Sequence, residues 1–574
     1  MSHLQPALSP SSFREARALK VWLGSVRAWV ALCLAWAAII AFSHRNQMDP
    51  DGFSYLQMAA RAANGDFPAL VNSHWSPGYP ALLGVLLAVF RTAAPENAFA
   101  VAHFLNYLIF IAATGSFVYF LRGWRGLIRE NDSLVVPVGF VLFLKFGVDW
   151  LGVHNCTPDL AVGAVVLAAA GILCRLAQEG PPWILMPLLG FVLGIGYYVK
   201  APLLPLSLFL FVLLFLIPPG PRVSRGSVLL AAAAFAIIAA PLVLLQSHRA
   251  GHLSFGESGK LNYAWYVNGI HGVHQGEPLD SRVHFLHPPR HLTESPVTLE
   301  FATPVQATYP LWFDPYYWAE GSQGKFNLKQ QIAALRVALM IYAEMAMGIA
   351  VLIAGTILLL ATGSGRMWPL GWRSIWVIAW PVSAISLYSL VHTESRFIAG
   401  FMIVLWMGLL TTALQRTRIV STGAIVALMS ITLLVPTTFR LILAAGRAVS
   451  SLLNPGPTGD SEAARALRTL GLREGDGIAI VGGSFEPYYA WIARVRVVAQ
   501  TPNQDEVWRL SPSDFRDWLK AVSSSGAKAL VTMDRPSYAN QIAWQDLPVS
   551  SEFSSTIVGA GAHRYSVFLL PRVP

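Results

Sequence analysis

The stretch SVLLAAAAFAIIAAPLVLLQS, residues 227–247, contains no charged side chain and is long enough to cross a bilayer. A hydrocarbon core of about 30 Å requires roughly 20 consecutive apolar residues in a helix. Similar stretches recur along the 574 residues, of which 54% are hydrophobic and only 13% are charged. Because soluble domains carry about 25% charged residues, this composition predicts a polytopic α-helical membrane protein.

Ten further apolar segments are candidate membrane spans. They lie near residues 24–43, 98–121, 134–151, 158–176, 183–199, 202–217, 343–362, 374–391, 397–415 and 419–436. One more apolar segment, residues 78–90, is shorter than a span, and runs of about 10–14 residues are more often interfacial or re-entrant. The predicted architecture therefore has about 11–12 spans, with residues 78–90 as a short membrane-embedded helix.

The basic residues predict the orientation of these spans, because Lys and Arg concentrate in cytoplasmic loops. The net charge of +10 is explained in this way and indicates no nucleic-acid partner. The basic connections are Arg122/Arg125/Arg129, Arg222/Arg225, Arg366/Arg373 and Arg416/Arg418. If all these basic connections lie in the cytoplasm, residues 1–23 are cytoplasmic as well. The same topology puts the following segments outside the inner or plasma membrane: residues 44–97, 152–157, 248–342, 392–396 and the C-terminus.

The C-terminal part of the chain has a different pattern. After the breaker cluster that begins at Asn454, helical and strand patterns alternate, as in SEAARALRTLGL (461–472), GIAIVGG (477–483) and SPSDFRDWLKAVSSSG (511–526). Such alternation is typical of a small α/β domain with a partly parallel sheet. We therefore expect a membrane domain over residues 24–455 and an extracytoplasmic α/β domain over residues 456–574.

Two carboxylates directly follow the first predicted span. Asp49 and Asp51 precede the amphipathic stretch LQMAARAANGDF, residues 56–67. Paired carboxylates outside the membrane could hold a divalent cation, or one of them could act as a general base. An Asp ahead of a helix also caps its free N–H groups and matches the helix dipole, and the spacing slightly favours this interpretation. The spacing alone leaves both interpretations open.

Three more ionisable side chains are predicted on the same outer face. Asp159 follows a Thr-Pro pair and could either start a helix or face a site. Lys200 ends the helical pattern of residues 190–200, where a lysine either extends to the membrane surface or compensates a lipid phosphate. Arg396 lies in the short connection HTESR, residues 392–396, and a guanidinium is shaped for bidentate phosphate contact.

Together these segments resemble the motifs of the GT-C superfamily of membrane glycosyltransferases. They are most similar to its bacterial lipid-phosphate-sugar enzymes, which include aminoarabinose transferases and relatives of protein O-mannosyltransferases. The matching segments span roughly residues 20–415 in family order. They are Asp51-Gly-Phe-Ser-Tyr55-Leu, Trp75-Ser-Pro-Gly-Tyr-Pro80, Thr157-Pro-Asp159-Leu, Gly196-Tyr-Tyr-Val-Lys200-Ala-Pro and Glu394-Ser-Arg396-Phe.

The resemblance implies roles for individual residues. Asp51 would be the catalytic base or would orient the acceptor, and Asp159 would be the second catalytic carboxylate. Lys200 and Arg396 would hold the donor phosphate. The further substrate contacts implied by the motifs are Asp49, Tyr55, Trp75, Tyr79 and Glu394.

One departure from the family pattern concerns the first loop. Some relatives have a basic residue where this chain has Ser76, so phosphate binding at that point needs another group. The neighbouring His74 is the expected substitute. The competing carboxylate Asp49 also leaves open which of the two acidic residues is the base.

The implied reaction is the transfer of a sugar, with inversion, from a polyprenyl-phosphate donor to a lipid, glycan or protein acceptor on the extracytoplasmic face. Whether the reaction needs a divalent cation is an open question.

A lipid-linked glycan polymerase or ligase is one alternative function, and its basic groups would lie in a later large loop. A transporter is another, and would place ionisable residues in mid-membrane. Lys145 is the strongest such candidate, with Asp149 as its acidic neighbour.

The loop 248–342 contains seven of the fourteen histidines: His248, His252, His271, His274, His284, His287 and His291. Pairs at spacings of three and four match a metal-ligand pattern, but no helical periodicity aligns them, so a solvated loop is the preferred interpretation. The loop is also rich in Trp and Tyr. These aromatic residues are equally suited to stacking on sugar rings and to an interfacial belt.

Overall fold

The computed structural model describes residues 24–91, 95–128, 132–270, 280–301, 305–363, 371–417, 421–454, 456–482, 486–534, 555–558 and 564–570. The predicted cytoplasmic N-terminus, residues 1–23, and the basic residues Arg129, Arg366 and Arg418 lie outside these ranges.

The membrane part consists of helices that pack around one apolar core. They are Val26–Ser43 (α1), Pro50–Ala63 (α2), Gly78–Phe90 (α3), Asn97–Arg125 (α4), Asp132–Phe143 (α5), Asp159–Ala177 (α6), Pro182–Val199 (α7), Leu203–Leu216 (α8), Arg225–Ala250 (α9), Ser258–Asn262 (α10), Pro310–Phe313 (α11), Pro315–Ala319 (α12), Leu328–Met347 (α13), Ala350–Ala361 (α14), Trp376–Ser389 (α15), Ser395–Arg416 (α16) and Thr422–Leu453 (α17). Two π-helical turns, Leu144–Trp150 and Tyr263–Val267, continue α5 and α10.

Every predicted span contains a helix, which confirms the helical membrane fold. Seven helices of the described chain are long and apolar enough to cross a bilayer: α1, α4, α6, α7, α9, α16 and α17. The helices α13 and α14 satisfy the same test only as a pair, and they are bent by 78° at their junction. The remaining predicted spans correspond to α5, α8 and α15, which have 12 to 14 residues each. By length and composition, seven or eight of the predicted spans pass this test among the described residues.

The apolar segment 78–90 forms a single short helix, α3, as predicted. Its 13 residues rise about 20 Å, which is less than the thickness of the hydrocarbon core. A Cβ atom on Gly78 would lie 2.8 Å from the carbonyl oxygen of Tyr198. Glycine therefore lets the start of α3 lie directly against the end of α7, next to Lys200.

The last membrane helix, α17, is longer than predicted. The sequence pattern placed its end near residue 436, whereas the helix continues to Leu453 and has 32 residues. At 1.5 Å per residue it is about 48 Å long, well beyond the hydrocarbon core. Arg440 and Arg447 lower the hydropathy of its second half, and this is why the apolar pattern ended early.

The α/β domain contains a seven-stranded sheet with the order β1-β2-β4-β3-β5-β7-β6. Its strands are Arg290–Glu294 (β1), Val297–Glu300 (β2), Gly477–Val481 (β3), Arg496–Thr501 (β4), Ala527–Asp534 (β5), Ser555–Val558 (β6) and Arg564–Leu569 (β7). Its helices are Gly459–Thr469 (α18), Tyr488–Ala493 (α19), Gln504–Trp508 (α20) and Pro512–Ser524 (α21). The three central strands are parallel, as the helix–strand alternation predicted.

Two strands of this sheet come from the loop 248–342, which the sequence assigned to the membrane domain. The hairpin β1–β2 pairs antiparallel with β4, so the loop and the C-terminal segment form one sheet. The same loop also binds helix α2: the side-chain oxygen of Gln57 accepts a hydrogen bond from the Thr308 N–H at 2.8 Å. The hydroxyl of Tyr309 then donates to Gln500 in β4, also at 2.8 Å. The sheet and the first external loop are thus joined through this segment.

We expect cysteine labelling to test the predicted orientation. Gly456 follows α17, and Gly226 lies in the first turn of α9, beside Arg222 and Arg225. Both glycines are exposed, and a side chain at either fits without a close contact. In intact cells an impermeant thiol reagent should modify Gly456→Cys and leave Gly226→Cys unmodified. The native cysteines are buried and give little background. The opposite labelling pattern would overturn the orientation.

Candidate active site

A cavity of about 410 Å³ lies where α2, the end of α7 and the start of α16 converge. The predicted site residues that line it are Asp51, Tyr55, His74, Trp75, Lys200, Glu394 and Arg396. Asp159 is buried beside the cavity and contacts Lys200. The structure therefore brings together side chains that lie up to about 350 positions apart in the sequence. Asp49 and Tyr79 do not line this cavity.

Arg396 is the centre of the ionic contacts in the cavity. Its Nη2 donates to Asp51 Oδ2 at 2.9 Å, and its Nε donates to Glu394 Oε2 at 2.6 Å. The same Nε lies 3.7 Å from Asp159 Oδ2. A single guanidinium thus connects the first external loop, the start of α6 and the start of α16.

Lys200 provides the second cation of the cavity. It caps α7 in an extended backbone conformation, and its Nζ donates to Asp159 Oδ1. The ammonium also lies 3.9 Å from the centre of the Phe397 ring, and the side chain is 19% exposed. Because the charge lies inside the cavity instead of at the lipid surface, the geometry favours the interpretation as an anion-binding residue.

The structure separates the roles of the two neighbouring carboxylates. Asp49 is the N-cap of α2: its Oδ1 accepts from the Gly52 N–H at 2.7 Å. Its Oδ2 accepts from the Cys156 N–H, also at 2.7 Å, so it ties the second external loop to the first. Burial raises the pKa of Asp49 to about 6, and the nearby charge of Asp51 adds to this effect. Asp49 is therefore a structural cap.

Because Asp49 serves as the cap, the side chain of Asp51 is free to face the cavity. Asp51 lies in the first turn of α2, and its side chain accepts a hydrogen bond from Arg396. Burial raises the pKa of Asp51, and the positive charge of Arg396 and its hydrogen bond act in the opposite direction. Loss of the Arg396 contact would consequently make this carboxylate more basic.

Asp159 also has no capping role at the start of α6, where no side chain caps the free N–H groups. Its two oxygens face Lys200 and Arg396, and Thr157 Oγ1 donates to Oδ2 at 3.0 Å. The side chain is only 2% exposed. A buried carboxylate requires such partners, and here they also fix the positions of both cations.

Glu394 holds Arg396 from the other side. It accepts from Arg396 and lies 3.1 Å from His392 Nε2. Burial alone would raise the pKa of Glu394, but the hydrogen bonds and charges of His392 and Arg396 hold it at about 2. The ring of Tyr266 stacks on His392 with 3.9 Å between ring centres. Glu394 is therefore an ionised anchor for the guanidinium.

His74 is surrounded by the rings of Trp75, Trp265 and Trp312. Burial lowers the pKa of His74 to about 3, so the ring is neutral at physiological pH. Its Nδ1 is without a hydrogen-bond partner in the described part of the chain. A neutral ring cannot replace the positive charge expected at this position, although it can still donate or accept a hydrogen bond.

The aromatic residues of the first loop differ in their positions. Tyr55 and Trp75 line the cavity and pack edge to face, with 5.2 Å between ring centres. Trp75 Nε1 donates to the Trp312 carbonyl at 3.1 Å, which joins this wall to the loop 248–342. Tyr79 is fully buried behind the cavity, where its hydroxyl donates to Asn106 at 2.9 Å. A substrate contact by Tyr79 is therefore not part of the observed geometry.

Phe397 and Tyr388 also line the cavity, although the sequence pattern did not indicate either as a site residue. Phe397 lies under the ammonium of Lys200, and Tyr388 packs against Phe397 with 5.1 Å between ring centres. Phe397 could have been identified from the sequence, because it directly follows Arg396 and cations commonly lie over the faces of aromatic rings. Tyr388 had no such signal, since a Tyr near the end of a span is common.

No group of three or more potential metal ligands occurs among the residues that the structure describes. Each carboxylate of the cavity is already paired with Lys200 or Arg396, so this donor set does not fit a divalent cation. In the histidine-rich loop, His252, His287 and His291 pair with nearby glutamates. His271 and His274 lie outside the described residues.

A glycine substitution tests the contact between the first and second external loops, which Asp49 joins through the Cys156 N–H. A Cβ atom on Gly52 would lie 2.6 Å from Cys156 Cβ, so Gly52→Ala should separate the two loops. We expect a loss of about 1–3 kcal/mol in the free energy of unfolding, measured as a lower melting temperature in detergent. The matched control is Gly446→Ala in α17, where no atom lies within 4 Å of the new Cβ.

At Gly446 the same substitution should stabilise the helix by about 0.5–1 kcal/mol, because alanine loses less backbone freedom than glycine. Equal melting temperatures for the two variants would contradict the close contact between Gly52 and Cys156.

Comparison with known proteins adds an independent view of the fold. No protein-family model matches the chain, and no curated protein matches its sequence. Among solved structures, ArnT from Cupriavidus metallidurans bound to undecaprenyl phosphate is similar, with a TM-score of 0.52 and 11% identity. The match covers 96% of this chain and 100% of that chain. The Archaeoglobus fulgidus oligosaccharyltransferase in complex with zinc and sulfate has a TM-score of 0.47 and 12% identity, over 87% of this chain and 68% of that chain.

The likeness to ArnT extends over the membrane helices and the C-terminal sheet, at a sequence identity that carries information on the fold alone. It agrees with the apolar helices of the structure. The chain is thus a multi-pass membrane protein with a fold similar to that of ArnT.

Proposed function

We propose that this protein is an inverting glycosyltransferase that takes a sugar from a polyprenyl-phosphate donor. One observation carries the proposal: two cations, Lys200 and Arg396, face the same cavity as the carboxylate Asp51. A leaving phosphate and the hydroxyl that attacks the sugar need these two kinds of group next to each other. The resemblance to the GT-C superfamily and the similarity of the fold to that of ArnT support the same conclusion.

The donor phosphate would bind between Arg396 and Lys200. The guanidinium can form two parallel hydrogen bonds to phosphate oxygens, and the ammonium adds a point charge. Asp159 and Glu394 hold both cations in place before the donor arrives. Charges fixed in this way stabilise the developing phosphate anion without rearrangement during the reaction.

Donor binding would also activate the base. The phosphate competes with Asp51 for Arg396 Nη2, which now lies 2.9 Å from the carboxylate. Without this partner the pKa of Asp51, already raised by burial, rises further and the group accepts a proton more readily. The order of events, donor first and base second, follows from one shared guanidinium.

The chemical step would be a single displacement. Asp51 accepts the proton of the acceptor hydroxyl, and the hydroxyl oxygen forms a bond to the anomeric carbon. The bond between that carbon and the phosphate oxygen breaks, and its electron pair leaves with the phosphate. Attack opposite the leaving group inverts the configuration of the sugar.

We place the reaction on the extracytoplasmic side. The cavity lies at the end of the bundle formed by the loops 44–97 and 392–396. The basic connections around Arg122 and Arg222 lie at the other ends of their helices. The positive-inside rule assigns that basic end to the cytoplasm.

The geometry supports the two alternative functions, a lipid-linked glycan polymerase or ligase and a transporter, less well. For a polymerase or ligase, the key basic groups are expected in the later large loop, whereas the two cations of the cavity, Lys200 and Arg396, lie outside the loop 248–342. For a transporter, Lys145 should be able to release its partner. Its Nζ is held by Asp149 at 2.6 Å, and Arg440 shares that carboxylate.

Lys200→Ala should weaken binding of polyprenyl monophosphate by about ten- to a hundredfold, because one of the two phosphate cations is lost. Binding can be measured by titrating the lipid into purified protein in detergent. Lys200→Arg should retain more affinity, since the charge is kept. The control is Lys260→Ala, a nearby exposed lysine that pairs with Glu257 outside the cavity wall. Unchanged affinity in Lys200→Ala would exclude the phosphate role.

Asp51→Asn should abolish most of the activity while the chain still folds, because Asp49 supplies the helix cap. Positioned proton transfer contributes about 10²–10⁴ to a rate, so we expect at least a hundredfold loss. Mass spectrometry of a deletion strain should reveal one accumulated polyprenyl-phosphate sugar. The wild-type gene should remove this lipid, and Asp51→Asn expressed at the same level should not. Full complementation by the variant would refute the base role.

The pH dependence of transfer in isolated membranes gives a second measurement. A base works only when deprotonated, so activity should fall as the pH is lowered through the raised pKa of Asp51. Activity that rises instead under mildly acidic conditions would contradict this assignment.

A further inference from the structure

A second group of cations lies outside the cavity, where the end of α1 meets α17. Arg45 follows α1, and Arg440 and Arg447 lie two turns apart on α17. We name these three residues the arginine patch. The side chain of Arg440 is 59% exposed, and Arg447 is exposed as well. The patch is at the same end of the bundle as the cavity, because α1 leads directly to Asp49 and Asp51.

Two of the three guanidiniums are oriented by uncharged groups. Arg45 Nη1 donates to the Phe42 carbonyl at 3.0 Å and to Ser451 Oγ at 3.1 Å. Arg447 Nη2 lies 3.2 Å from His44 Nε2. Since none of these three acceptors is a carboxylate, the contacts fix the positions of the two arginines and, within the described part of the chain, leave their charge uncompensated.

The hydrogen bonds of His44 make it an acceptor. Its Nδ1 lies 2.9 Å from the Ile40 carbonyl, so this nitrogen carries the proton and Nε2 is free to accept from Arg447. Burial lowers the pKa of His44, and the charge of Arg447 acts in the same direction. The imidazole is thus neutral and orients the guanidinium without cancelling its charge.

The third arginine of the patch shares its counter-charge. Asp149 Oδ1 contacts Arg440 at 2.8 Å, while Oδ2 contacts Lys145 at 2.6 Å. One carboxylate therefore serves two cations. Lys145 and Asp149 lie in the π-helical turn Leu144–Trp150, and such turns are frequent at functional sites. Within the described contacts, the region keeps a clear excess of positive charge.

Counted along α17 from Thr422, the patch falls near the depth expected for lipid headgroups. Arg440 is about 27 Å along α17 from Thr422, close to the far edge of a 30 Å hydrocarbon core. Arg447 is about 10 Å further, in the headgroup layer. Phe439 and Ile442, on either side of Arg440, are 60% and 61% exposed, as expected for side chains that face acyl chains.

We propose that the arginine patch binds the phosphate of an anionic bilayer lipid, with its acyl chains along α17. Extracytoplasmic segments are normally poor in Lys and Arg, so preoriented arginines at this depth need an anionic partner from the membrane. This site is separate from the donor cavity and does not depend on the proposed function. Its occupant would hold the start of the loop that carries Asp49 and Asp51, because His44 and Arg45 precede that loop directly.

Binding of short-chain phosphatidylglycerol to the full-length protein in neutral detergent tests the proposal. Native mass spectrometry counts the bound lipid, and short-chain phosphatidylcholine serves as the uncharged probe. Each basic side chain near an anionic headgroup contributes about fivefold to binding. Arg440→Gln with Arg447→Gln should therefore weaken phosphatidylglycerol binding about 25-fold. The control pair, Arg473→Gln with Lys520→Gln in the C-terminal domain, should bind like the wild type.

The single variant Arg447→Gln should not disturb folding, because Arg447 is exposed and contacts the neutral His44. Its affinity for phosphatidylglycerol should fall about fivefold. Three results would overturn the proposal: equal binding of the two lipids, unchanged phosphatidylglycerol affinity in Arg447→Gln, or an equal loss in the control pair. Displacement of the lipid by inorganic phosphate at comparable concentration would also overturn it, because the site would then take free phosphate.

Discussion

The contact of Arg396 with three carboxylates is the constraint on which the rest of the structure depends. A largely buried guanidinium such as that of Arg396 requires anionic partners, and buried carboxylates equally require cations. Asp51, Asp159 and Glu394 come from three distant segments of the chain. The helices α2, α6 and α16 must therefore converge at one point, and Lys200 at the end of α7 completes the balance of charge.

The first external loop is held at this point from several directions. Asp49 joins it to the second loop through Cys156, and Gln57 joins it to the loop 248–342. The C-terminal domain adds a third connection, since the hydroxyl of Tyr488, the first residue of α19, donates to the Met48 carbonyl at 2.9 Å. The α/β domain thus contributes to the position of Asp51 without supplying a side chain to the cavity wall.

Much of the fold and the main charged residues were predictable, because apolar length, basic loops and the motif order all carry local signals. The choice between Asp49 and Asp51 was not, since both lie at positions where a carboxylate can cap α2. The neutral state of His74 depends on tryptophans from distant segments. The strands β1 and β2 were missed for a similar reason: their partner, β4, lies about 200 residues further along the chain.

The central claim is that Arg396 exchanges Asp51 for the donor phosphate. The most direct test is an experimental structure of the protein with polyprenyl monophosphate bound. We expect the phosphate oxygens within hydrogen-bond distance of Arg396 and Lys200, and the 2.9 Å contact between Arg396 and Asp51 broken. A phosphate bound elsewhere, with that contact intact, would contradict the account.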